Sequence, residues 1–474
     1  MADVDAASLA RSLTEHSPAG IAEQVRELIV DGTLEAGTRL PTVRDVATEV
    51  GVSVGTIAQA WALLREGGLV ETRRRGGTRV IEGHGPTAEN FPGWHAVDLL
   101  RHSPDPQLVP SLEDALTQAV HQPGIHAWSR EHIVDQLAEQ LAERLPDQPR
   151  SYAAVSSGTE ALWLATRAAV DVAAGAASAE HAAEAGVGLR TAAGAEPVVA
   201  VEEPASPGYL GVLRGMGLAP VGVAVDEQGP RPEALSAALE QGAVAVVLSP
   251  SGAFSDRHRL TAERAMALEP LLAAAGEVTI IEDDPLGPLA EDGEAVPSLE
   301  ALFPHRTLRA IGFERAFGMD LRSSVLAGDA ELIHRCIARR SGGVASTSRI
   351  LQHALAHQLR DPVVAHRLAS ARKHYAARRE LTVERFAAAG LTARSGPGSW
   401  AVWVEVDDEQ SAALALGARG IVVDVGSSCV VAPRPTGLLR LSTAQLPEDP
   451  ARLDELAATV AGAAAGSLED ATFV

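Results

Sequence analysis

Lysine is almost missing from this sequence. Lys373 is the single lysine among 474 residues, so the rest of its 40 basic side chains are arginine. A lysine amine can act as a covalent nucleophile, whereas an arginine guanidinium stays protonated in proteins. Covalent chemistry that depends on a lysine amine is therefore excluded at every other position of the chain.

Cysteines and long apolar runs are scarce as well. Cys336 and Cys429 lie far apart without zinc-site spacing, so we interpret them as reduced thiols and expect no metal site. No apolar run approaches the ~20 residues that span a bilayer. The acidic N-terminus shows no signal-peptide pattern. These absences predict a cytoplasmic protein without a membrane segment.

The charge balance limits how this protein could bind nucleic acid. The formal net charge is -22, which argues against a surface that coats nucleic acid or anionic membrane. Any contact with DNA must therefore come from a local basic patch. A chain of 474 residues is also long enough for more than one domain with a large core.

Two helices separated by a tight turn are predicted near the N-terminus. Thr42 begins a helix with apolar residues on one face, and Gly51 ends it. Ser53 suits the N-cap of a second helix that runs from Val54 to about Gly67. This arrangement is a helix-turn-helix. Residues 69–72 and 78–81 then alternate like two short strands, so the pattern predicts a winged helix with a basic tip at residues 73–75.

Residues 1–82 resemble the DNA-binding domain of the GntR family of bacterial regulators. The resemblance rests on Leu40–Arg44, Gly51–Thr56, Leu69–Glu71 and Gly76–Val80. It implies that Arg44 contacts phosphate or base, that the start of the second helix faces the major groove, and that Gly77 approaches the minor groove. The implied DNA-binding residues are Arg44, Ser53, Thr56, Gln59, Arg73, Arg74, Arg75, Gly77 and Arg79.

Each of these arginines alone could be an ordinary solvated side chain, and only their register with the helices and wing favours DNA binding. Many relatives carry arginine where this chain has Val54 and Ala58. Arginine bonded to guanine is the commonest direct base contact, so its absence predicts a different operator or weaker specificity.

Residues 83–97 contain many turn formers and no periodicity, which is typical of a linker. Beyond them, helical and strand-like runs alternate, which predicts a mostly parallel sheet with helices on both faces. The predicted strands are 152–155, 197–201, 220–225, 243–248, 278–282, 308–311 and 323–327. We interpret the alanine-rich residues 166–196 as a surface insertion and His258 as a surface residue.

Residues 98–474 resemble a fold-type I aminotransferase that depends on pyridoxal phosphate (PLP), with a large domain at 98–345 and a smaller α+β subdomain at 346–474. The matching segments are Ser156–Leu162, Glu203–Tyr209, Ile280–Pro285, Ile311–Arg322 and Leu439–Ser442. The resemblance implies that Ser157, Gly158 and Thr159 lie at the phosphate cradle. It further implies that Asp283 meets the pyridinium nitrogen, that Arg322 holds the phosphate and that Arg440 binds a substrate carboxylate.

The chain departs from the aminotransferase pattern at the position of the cofactor ring. Arg315 stands where the family has the lysine that forms a Schiff base with PLP. Phe254 replaces an asparagine and Leu286 replaces a tyrosine, both of which contact the ring in the family. We therefore expect no covalently bound PLP, although non-covalent PLP or another ligand stays open.

A GntR-type winged helix joined to an aminotransferase-like domain resembles the MocR subfamily. This resemblance implies a homodimeric, nucleoid-associated regulator that binds a double-stranded DNA operator and does not act as an enzyme. The former cofactor site could be a rebuilt pocket, in which Arg315, Arg322 and Arg440 bind a small anionic or zwitterionic effector. It could equally be plugged, which would leave the domain as a scaffold for dimers or partners. An active PLP-dependent enzyme is the remaining alternative.

Overall fold

The structure is a computed structural model of the chain. It describes residues 4–30, 33–34, 37–66, 70–73, 77–80, 97–100, 102–126, 131–145, 150–175, 197–290, 296–340, 347–432 and 434–466. The chain forms two compact units. The first comprises residues 1–97 with 416–422, and the second comprises residues 98–415 with 423–474.

The described part of the N-terminal unit holds four helices and an antiparallel hairpin. They are α1 (Ala6–Arg11), α2 (Pro18–Val30), α3 (Val43–Val50), α4 (Val54–Glu66), β1 (Val70–Arg73) and β2 (Gly77–Val80). Residues from every one of these elements bury apolar side chains in a common core. The predicted helix-turn-helix and wing are confirmed, with ends that differ by one or two residues.

Local capping explains why α3 and α4 begin and end where they do. The hydroxyl of Thr42 accepts a hydrogen bond from the Asp45 amide at 3.3 Å. The hydroxyl of Ser53 accepts one from the Thr56 amide at 3.1 Å, as the sequence predicts. Gly51 ends α3 at φ 78°, a left-handed conformation that glycine adopts without steric cost.

The second unit is built on an eight-stranded mixed sheet in the order β4-β11-β10-β9-β8-β5-β6-β7. The strands are β4 (Ser151–Val155), β5 (Val198–Glu203), β6 (Ala219–Asp226), β7 (Gly229–Pro230), β8 (Ala243–Leu248), β9 (Thr279–Asp284), β10 (Thr307–Gly312) and β11 (Ser324–Gly328). The strands β7 and β11 run against the other six. The seven predicted strands are confirmed, with ends that differ by one or two residues.

Helices cover both faces of this sheet. They are α5 (Glu113–Val120), α6 (Asp135–Arg144), α7 (Gly158–Ala173), α8 (Pro207–Gly215), α9 (Pro232–Glu240), α10 (Ala262–Ala274), α11 (Glu314–Phe317), α12 (Ala330–Arg340) and α13 (Arg349–Arg360). Consecutive strand residues point to opposite faces. Ile281 therefore packs in the core beneath α7 and α8, whereas Ile280 packs in the core beneath α9 and α10.

A four-stranded antiparallel sheet in the order β12-β13-β16-β15 lies in the C-terminal part. Its strands are β12 (Ala393–Arg394), β13 (Ala401–Glu405), β15 (Asp424–Val425) and β16 (Leu438–Ser442). The remaining elements are α14 (Pro362–Ala388), α15 (Glu409–Gly417), α16 (Pro450–Ala464) and the two-residue strands β3 (Val97–Asp98) and β14 (Ile421–Val422).

The surface-insertion interpretation of residues 166–196 is wrong for its first part. Residues 166–173 complete α7, where Ala168, Ala169 and Val170 are almost fully buried. Small side chains let this helix pack closely on the sheet, which explains the alanine content there. Residues 176–196 lie outside the described residues, as do residues 81–96, which hold nearly all of the predicted linker.

Candidate functional site

The first candidate surface is the outward face of α4. Ile57, Ala60 and Trp61 are buried in the domain core, so the opposite face of the helix is left outside. Ser53 and Gln59 are exposed on that side, and Thr56 is half-buried. The hydroxyls of Ser53 and Thr56 lie 2.8 Å apart, so each orients the other. The structure therefore presents the three predicted groove-facing residues on one side of α4.

Arginines on the other elements of this unit differ in their roles. Arg44 is exposed on α3, as a DNA contact requires. Arg79 is half-buried, and its Nη1 donates to the Gly37 carbonyl at 2.8 Å, so it fastens the preceding loop to the wing. Of the other predicted arginines, Arg74 and Arg75 lie outside the described residues, and so does the side chain of Arg73.

The wing brings in one residue that the sequence analysis did not single out. Gly77 has φ 74°, and a Cβ there would lie 2.9 Å from Nε of Arg39. Arg39 is exposed and lies beside the start of β2. Its place just before the Leu40–Arg44 segment was the available signal. Arg39 therefore joins the residues of the candidate DNA-binding surface.

The second candidate site lies where strands of the large sheet end. β4 leads into α7, β9 ends at Asp284, and β10 leads into the loop that carries Arg315. Because these strands run in the same direction, their carboxyl ends share one edge of the sheet, where open α/β folds bind ligands. Ser157 caps α7 by accepting from the Glu160 amide at 3.1 Å, and Thr159 is exposed.

The N-terminus of α7 is occupied by a carboxylate of the chain itself, that of Glu314. The Gly158 amide donates to Oε1 of Glu314 at 3.3 Å, and the Ser324 hydroxyl donates to the same oxygen at 3.0 Å. The Phe313 amide donates to Oε2 at 3.2 Å. Sequence reasoning missed this role, and an acidic residue directly before Arg315 was the only available signal.

Arg315 is enclosed by aromatic rings and carbonyl oxygen. Its Nη1 donates to the Pro285 carbonyl at 2.9 Å. The centre of its guanidinium lies 5.7 Å from the Phe254 ring and 5.8 Å from the Trp400 ring, distances suited to cation–π attraction. Burial lowers the pKa of Arg315, while the carboxylates of Asp283 and Glu314 oppose that shift.

Apolar replacements surround the same position. Phe254 and Leu286 are 6% and 4% exposed and pack in one cluster with Trp400 and Tyr375. The Trp400 and Tyr375 rings meet edge to face at 4.7 Å. The two side chains that replace ring-contacting polar residues of the aminotransferases are thus part of the hydrophobic core.

Asp283 sits in this apolar setting with a perturbed pKa. Burial raises it to about 7, and the nearby positive charge of Arg315 limits the rise. The neighbouring Asp284 points to the other side of β9 and pairs with Arg309 at 2.7 Å. Asp283 and Asp284 therefore lie on opposite sides of β9, and the contact of Asp283 with a pyridinium nitrogen stays a prediction.

Arg440 is buried at 2% exposure and forms an ion pair with Asp424 on the neighbouring strand β15. Its guanidinium also lies 6.0 Å from the Trp403 ring. His102 lies near both Arg440 and Arg315. Burial, together with the positive charges of these two arginines, lowers the pKa of His102 to about 2. Arg440, Arg315 and the uncharged His102 thus form one largely buried group, called the basic cluster below for its two guanidinium groups.

Arg322, expected in the pocket, and His258, expected at the surface, both lie elsewhere. Arg322 is exposed and adopts φ 46°, the one positive φ of a non-glycine residue in the described part of the chain. No contact in the described residues joins it to Arg315 or Arg440. His258 was expected at the surface but is fully buried. Its Nδ1 lies 2.6 Å from the Ser255 hydroxyl, and its Nε2 lies 3.1 Å from Glu202.

Among the residues that the structure describes, no cluster of acidic, histidine and cysteine side chains could hold a metal ion. No helix in the described ranges is both long and apolar enough to cross a bilayer.

Comparison with solved structures identifies the fold of the second unit. Kynurenine aminotransferase of Pyrococcus horikoshii superposes with a TM-score of 0.66 at 19% identity, covering 79% of this chain and 92% of that chain. Aspartate aminotransferase of Thermus thermophilus gives a TM-score of 0.62 at 22% identity, covering 78% and 91%. The protein is therefore a winged-helix protein with a fold-type I aminotransferase fold.

Sequence comparison finds similar proteins and two matching family models. The model of bacterial regulatory proteins of the gntR family matches residues 19–80, and that of aminotransferase class I and II matches residues 312–460. The chain is 29% identical over 438 residues to the vitamin B6 salvage pathway transcriptional repressor PtsJ of Salmonella typhimurium, covering 89% of this chain and 94% of PtsJ. It is 27% identical over 407 residues to the HTH-type pyridoxine biosynthesis transcriptional regulator PdxR of Corynebacterium glutamicum, covering 79% and 81%. The chain thus joins a segment that matches the gntR family to a segment that matches the aminotransferases, and it is similar over most of its length to two proteins named as transcriptional regulators.

Proposed function

We propose that this protein binds a double-stranded DNA operator through its winged helix, and that its aminotransferase-like domain catalyses no transamination. The domain instead dimerises and holds a small ligand without a covalent bond. One observation carries this proposal: Glu314 and Arg315 occupy the cofactor position with a carboxylate and a guanidinium. The homologues named as transcriptional regulators support the same conclusion.

The residues present do not fit covalent PLP. That cofactor needs an amine, polar contacts to its ring and an open anion site for its phosphate. Arg315 offers no neutral amine. Phe254 and Leu286 offer no hydrogen bonds to a ring, and the helix N-terminus at Gly158 already bonds Glu314. Of the ring-contacting positions, only Asp283 keeps the residue type that the aminotransferases have there. Its raised pKa makes it a weaker negative partner for a pyridinium nitrogen.

Borohydride trapping tests the absence of a Schiff base. Purified protein would be incubated with PLP, reduced with borohydride and examined by mass spectrometry after digestion. The exposed Lys373 on α14 can form an adventitious adduct, so Lys373→Arg, which removes the last side-chain amine, is the matched control. We expect labelling of the wild type to disappear in Lys373→Arg. Stoichiometric labelling of Lys373 in the wild type at equimolar PLP would contradict the proposal.

The basic cluster supports ligand sensing over a purely structural domain. Within the described residues, the Nε atoms of Arg315 and Arg440 and both ring nitrogens of His102 are buried without a hydrogen-bond partner. Buried donors without partners cost about 1–3 kcal/mol each, so native proteins normally satisfy them. A carboxylate can accept from two or more such donors at once. We therefore propose a small carboxylate, anionic or zwitterionic, as the effector.

A thermal-shift screen with amino acids and small carboxylates tests this part. Ligand binding to the folded state adds about 2.7 kcal/mol of apparent stability at a hundredfold excess over Kd. We expect a hit that is lost in Arg315→Met and kept in Arg434→Met, which removes an exposed arginine instead. A flat screen would favour the scaffold alternative, in which the domain serves only dimers or partner proteins.

DNA binding and dimerisation are tested together on genomic fragments. A twofold-symmetric dimer predicts paired half-sites, either direct or inverted. We expect sedimentation to show a dimer that protects two such half-sites in footprinting. A monomer, or protection of a single half-site at saturating protein, would contradict this part of the proposal.

A further inference from the structure

The residue that fills the N-terminus of α7 belongs to the loop that carries Arg315. α7 has 16 residues, and its exposed backbone N–H groups and dipole attract an anion. Ser157 directs its hydroxyl to the Glu160 amide, so the cap itself is already used. The Gly158 amide is left to donate to Glu314. The anion that this helix attracts is therefore tethered to the chain.

Three donors from three segments hold the Glu314 carboxylate. They are the Gly158 amide at 3.3 Å, the Ser324 hydroxyl at 3.0 Å and the Phe313 amide at 3.2 Å. Gly158 begins α7, Ser324 begins β11, and Phe313 follows β10. A carboxylate held from three segments is a fixed part of the sheet edge.

We infer that Glu314 is the resident anion of this site and that it excludes phosphate-bearing molecules from it. A phosphate brought to the same amide would meet a carboxylate of like charge and would also have to displace its hydrogen bonds. The inference also narrows the effector proposed above to a carboxylate that carries no phosphate. This narrowing rests on the proposed function, whereas the role of Glu314 does not. The phosphate end of the site is closed and negative, while the cluster of Arg315 and Arg440 is basic.

The relatives PtsJ and PdxR are named for vitamin B6 pathways, which makes PLP the informative probe. Two variants open the site in different ways. Glu314→Gln removes the charge and keeps the shape, and Glu314→Ser removes the side chain that fills the cradle. Glu160→Gln is the control from the first turn of the same helix: its carboxylate pairs with Arg340 and accepts from Ser156, and its loss leaves the Gly158 amide bonded to Glu314.

The measurement is thermal stability of the full chain against inorganic phosphate and PLP, with chloride added to keep ionic strength constant. Lys373→Arg is the background, so no adduct at a lysine contributes. We expect no phosphate-dependent shift in the background protein or in Glu160→Gln. We expect Glu314→Ser to bind phosphate at least about tenfold more tightly. A tenfold gain in affinity corresponds to about 1.4 kcal/mol of binding free energy. Removing the repulsion between two like charges a few ångströms apart at a protein surface supplies more than this.

The outcomes separate this inference from the proposed function. If Glu314→Ser folds with normal circular dichroism and still shows no phosphate-dependent shift, Glu314 is not what excludes phosphate and the inference fails. Tight phosphate binding by the background protein would overturn it as well. A carboxylate screen without hits, together with a phosphate gain in Glu314→Ser, would remove the proposed effector and leave the role of Glu314 intact.

A double variant gives a second readout. Glu314→Ser with Arg315→Lys, in the Lys373→Arg background, restores one amine beside an opened cradle. We expect PLP to add a visible absorbance band that borohydride removes, with the mass added at residue 315. Arg315→Lys alone, which keeps Glu314, should show at least about a tenfold lower affinity for PLP. Equal affinities in the two proteins would contradict the inference.

Discussion

The winged helix and the former cofactor site handle their polar residues in opposite ways. At the cap and on the outward face of α4, Ser53 and Gln59 are exposed, so their side chains are accessible to another molecule. In the second unit, Glu314 accepts from the Gly158 amide and Arg440 on β16 pairs with Asp424. The winged helix leaves its polar side chains exposed, whereas the second unit joins Glu314 and Arg440 to other groups of the chain.

This difference is what the proposed function requires of a domain that keeps an aminotransferase fold without transamination. Every ring-side change at the cofactor position adds packing or an internal contact, as Phe254 and Leu286 do in the core. In the winged helix, apolar packing is confined to the inner faces, so the outer face is free to change its base preference. We therefore expect changes inside the large domain to alter stability, and changes on the winged helix to alter DNA binding.

The largest effect is expected from Arg440→Ala. It leaves the Asp424 carboxylate without its cation in a setting where the two side chains are only 3% and 12% exposed. Breaking a buried ion pair in this way costs about 3–5 kcal/mol. The matched control is Arg434→Ala, whose pair with Glu203 is 53% exposed at the arginine and should cost about 1 kcal/mol or less. Denaturant unfolding measures both, and equal losses would contradict the comparison.

The next effect concerns the pH dependence of stability at Asp283. Its pKa is raised from 3.8 to about 7 in the folded state, so the folded state binds the extra proton between those values. The stability that this proton contributes is full below about pH 4 and lost as pH rises through about 7. Asp283→Asn cannot titrate. Its stability relative to wild type should therefore increase from pH 4 to pH 8, by up to a few kcal/mol.

His102 acts in the opposite direction and must be kept constant in that experiment. Its pKa is lowered from 6.5 to about 2, so the unfolded state binds a proton that the folded state does not. Stability from this group is present above about pH 6.5 and is lost as pH falls toward 2. Because both proteins carry His102, its contribution cancels in their difference. Parallel stability curves for wild type and Asp283→Asn would refute the assignment to Asp283.

In the winged helix, a smaller effect, on DNA affinity, is expected from Arg44→Ala. Removing one phosphate contact should weaken binding to all sequences and reduce the slope of log K against log salt by about 1. Removing a base contact would instead cost about 1–3 kcal/mol at one position of the operator. Arg452→Ala removes the same charge from α16 of the large unit and should leave DNA affinity unchanged. A change in unfolding stability with unchanged DNA affinity would assign Arg44 to the fold.

The smallest effect is expected at the cap of α3. Thr42→Ala removes the hydroxyl that accepts from the Asp45 amide, and loss of such a cap costs about 1 kcal/mol. Thr48 lies on the same helix but donates its hydroxyl back to the Arg44 carbonyl, a contact that helps the helix little. Thr48→Ala should therefore be close to neutral. Calorimetry of the first unit's transition distinguishes the two variants.

The strand ends were predictable because parallel strands bring their carboxyl ends to one edge. The resemblance to the aminotransferases placed Asp283, Arg315 and Ser157 at one site before any coordinates were considered, and the shared strand direction explains why they lie at one edge. The caps at Thr42 and Ser53 were predictable for a similar reason, since they depend on residues only a few positions apart. Short-range patterns and sheet direction thus carried most of the fold.

Contacts between distant segments were not predictable in the same way. Asp424 reaches Arg440 only because β15 pairs with β16, and two-residue strands leave no pattern in the sequence. His258 looked exposed between Arg257 and Arg259, yet it is buried, with Nδ1 bonded to the Ser255 hydroxyl and Nε2 3.1 Å from a Glu202 carboxylate oxygen. The role of Glu314 depends on the direction of one side chain in a four-residue helix.

The adjacency of Glu314 and Arg315 also bears on what a covalent cofactor site would require. A chain that regained lysine at position 315 alone would still hold a carboxylate in the cradle, and one that lost Glu314 alone would still lack an amine. Under the proposed function, a covalent cofactor site would therefore require both substitutions together, which is the double variant described above.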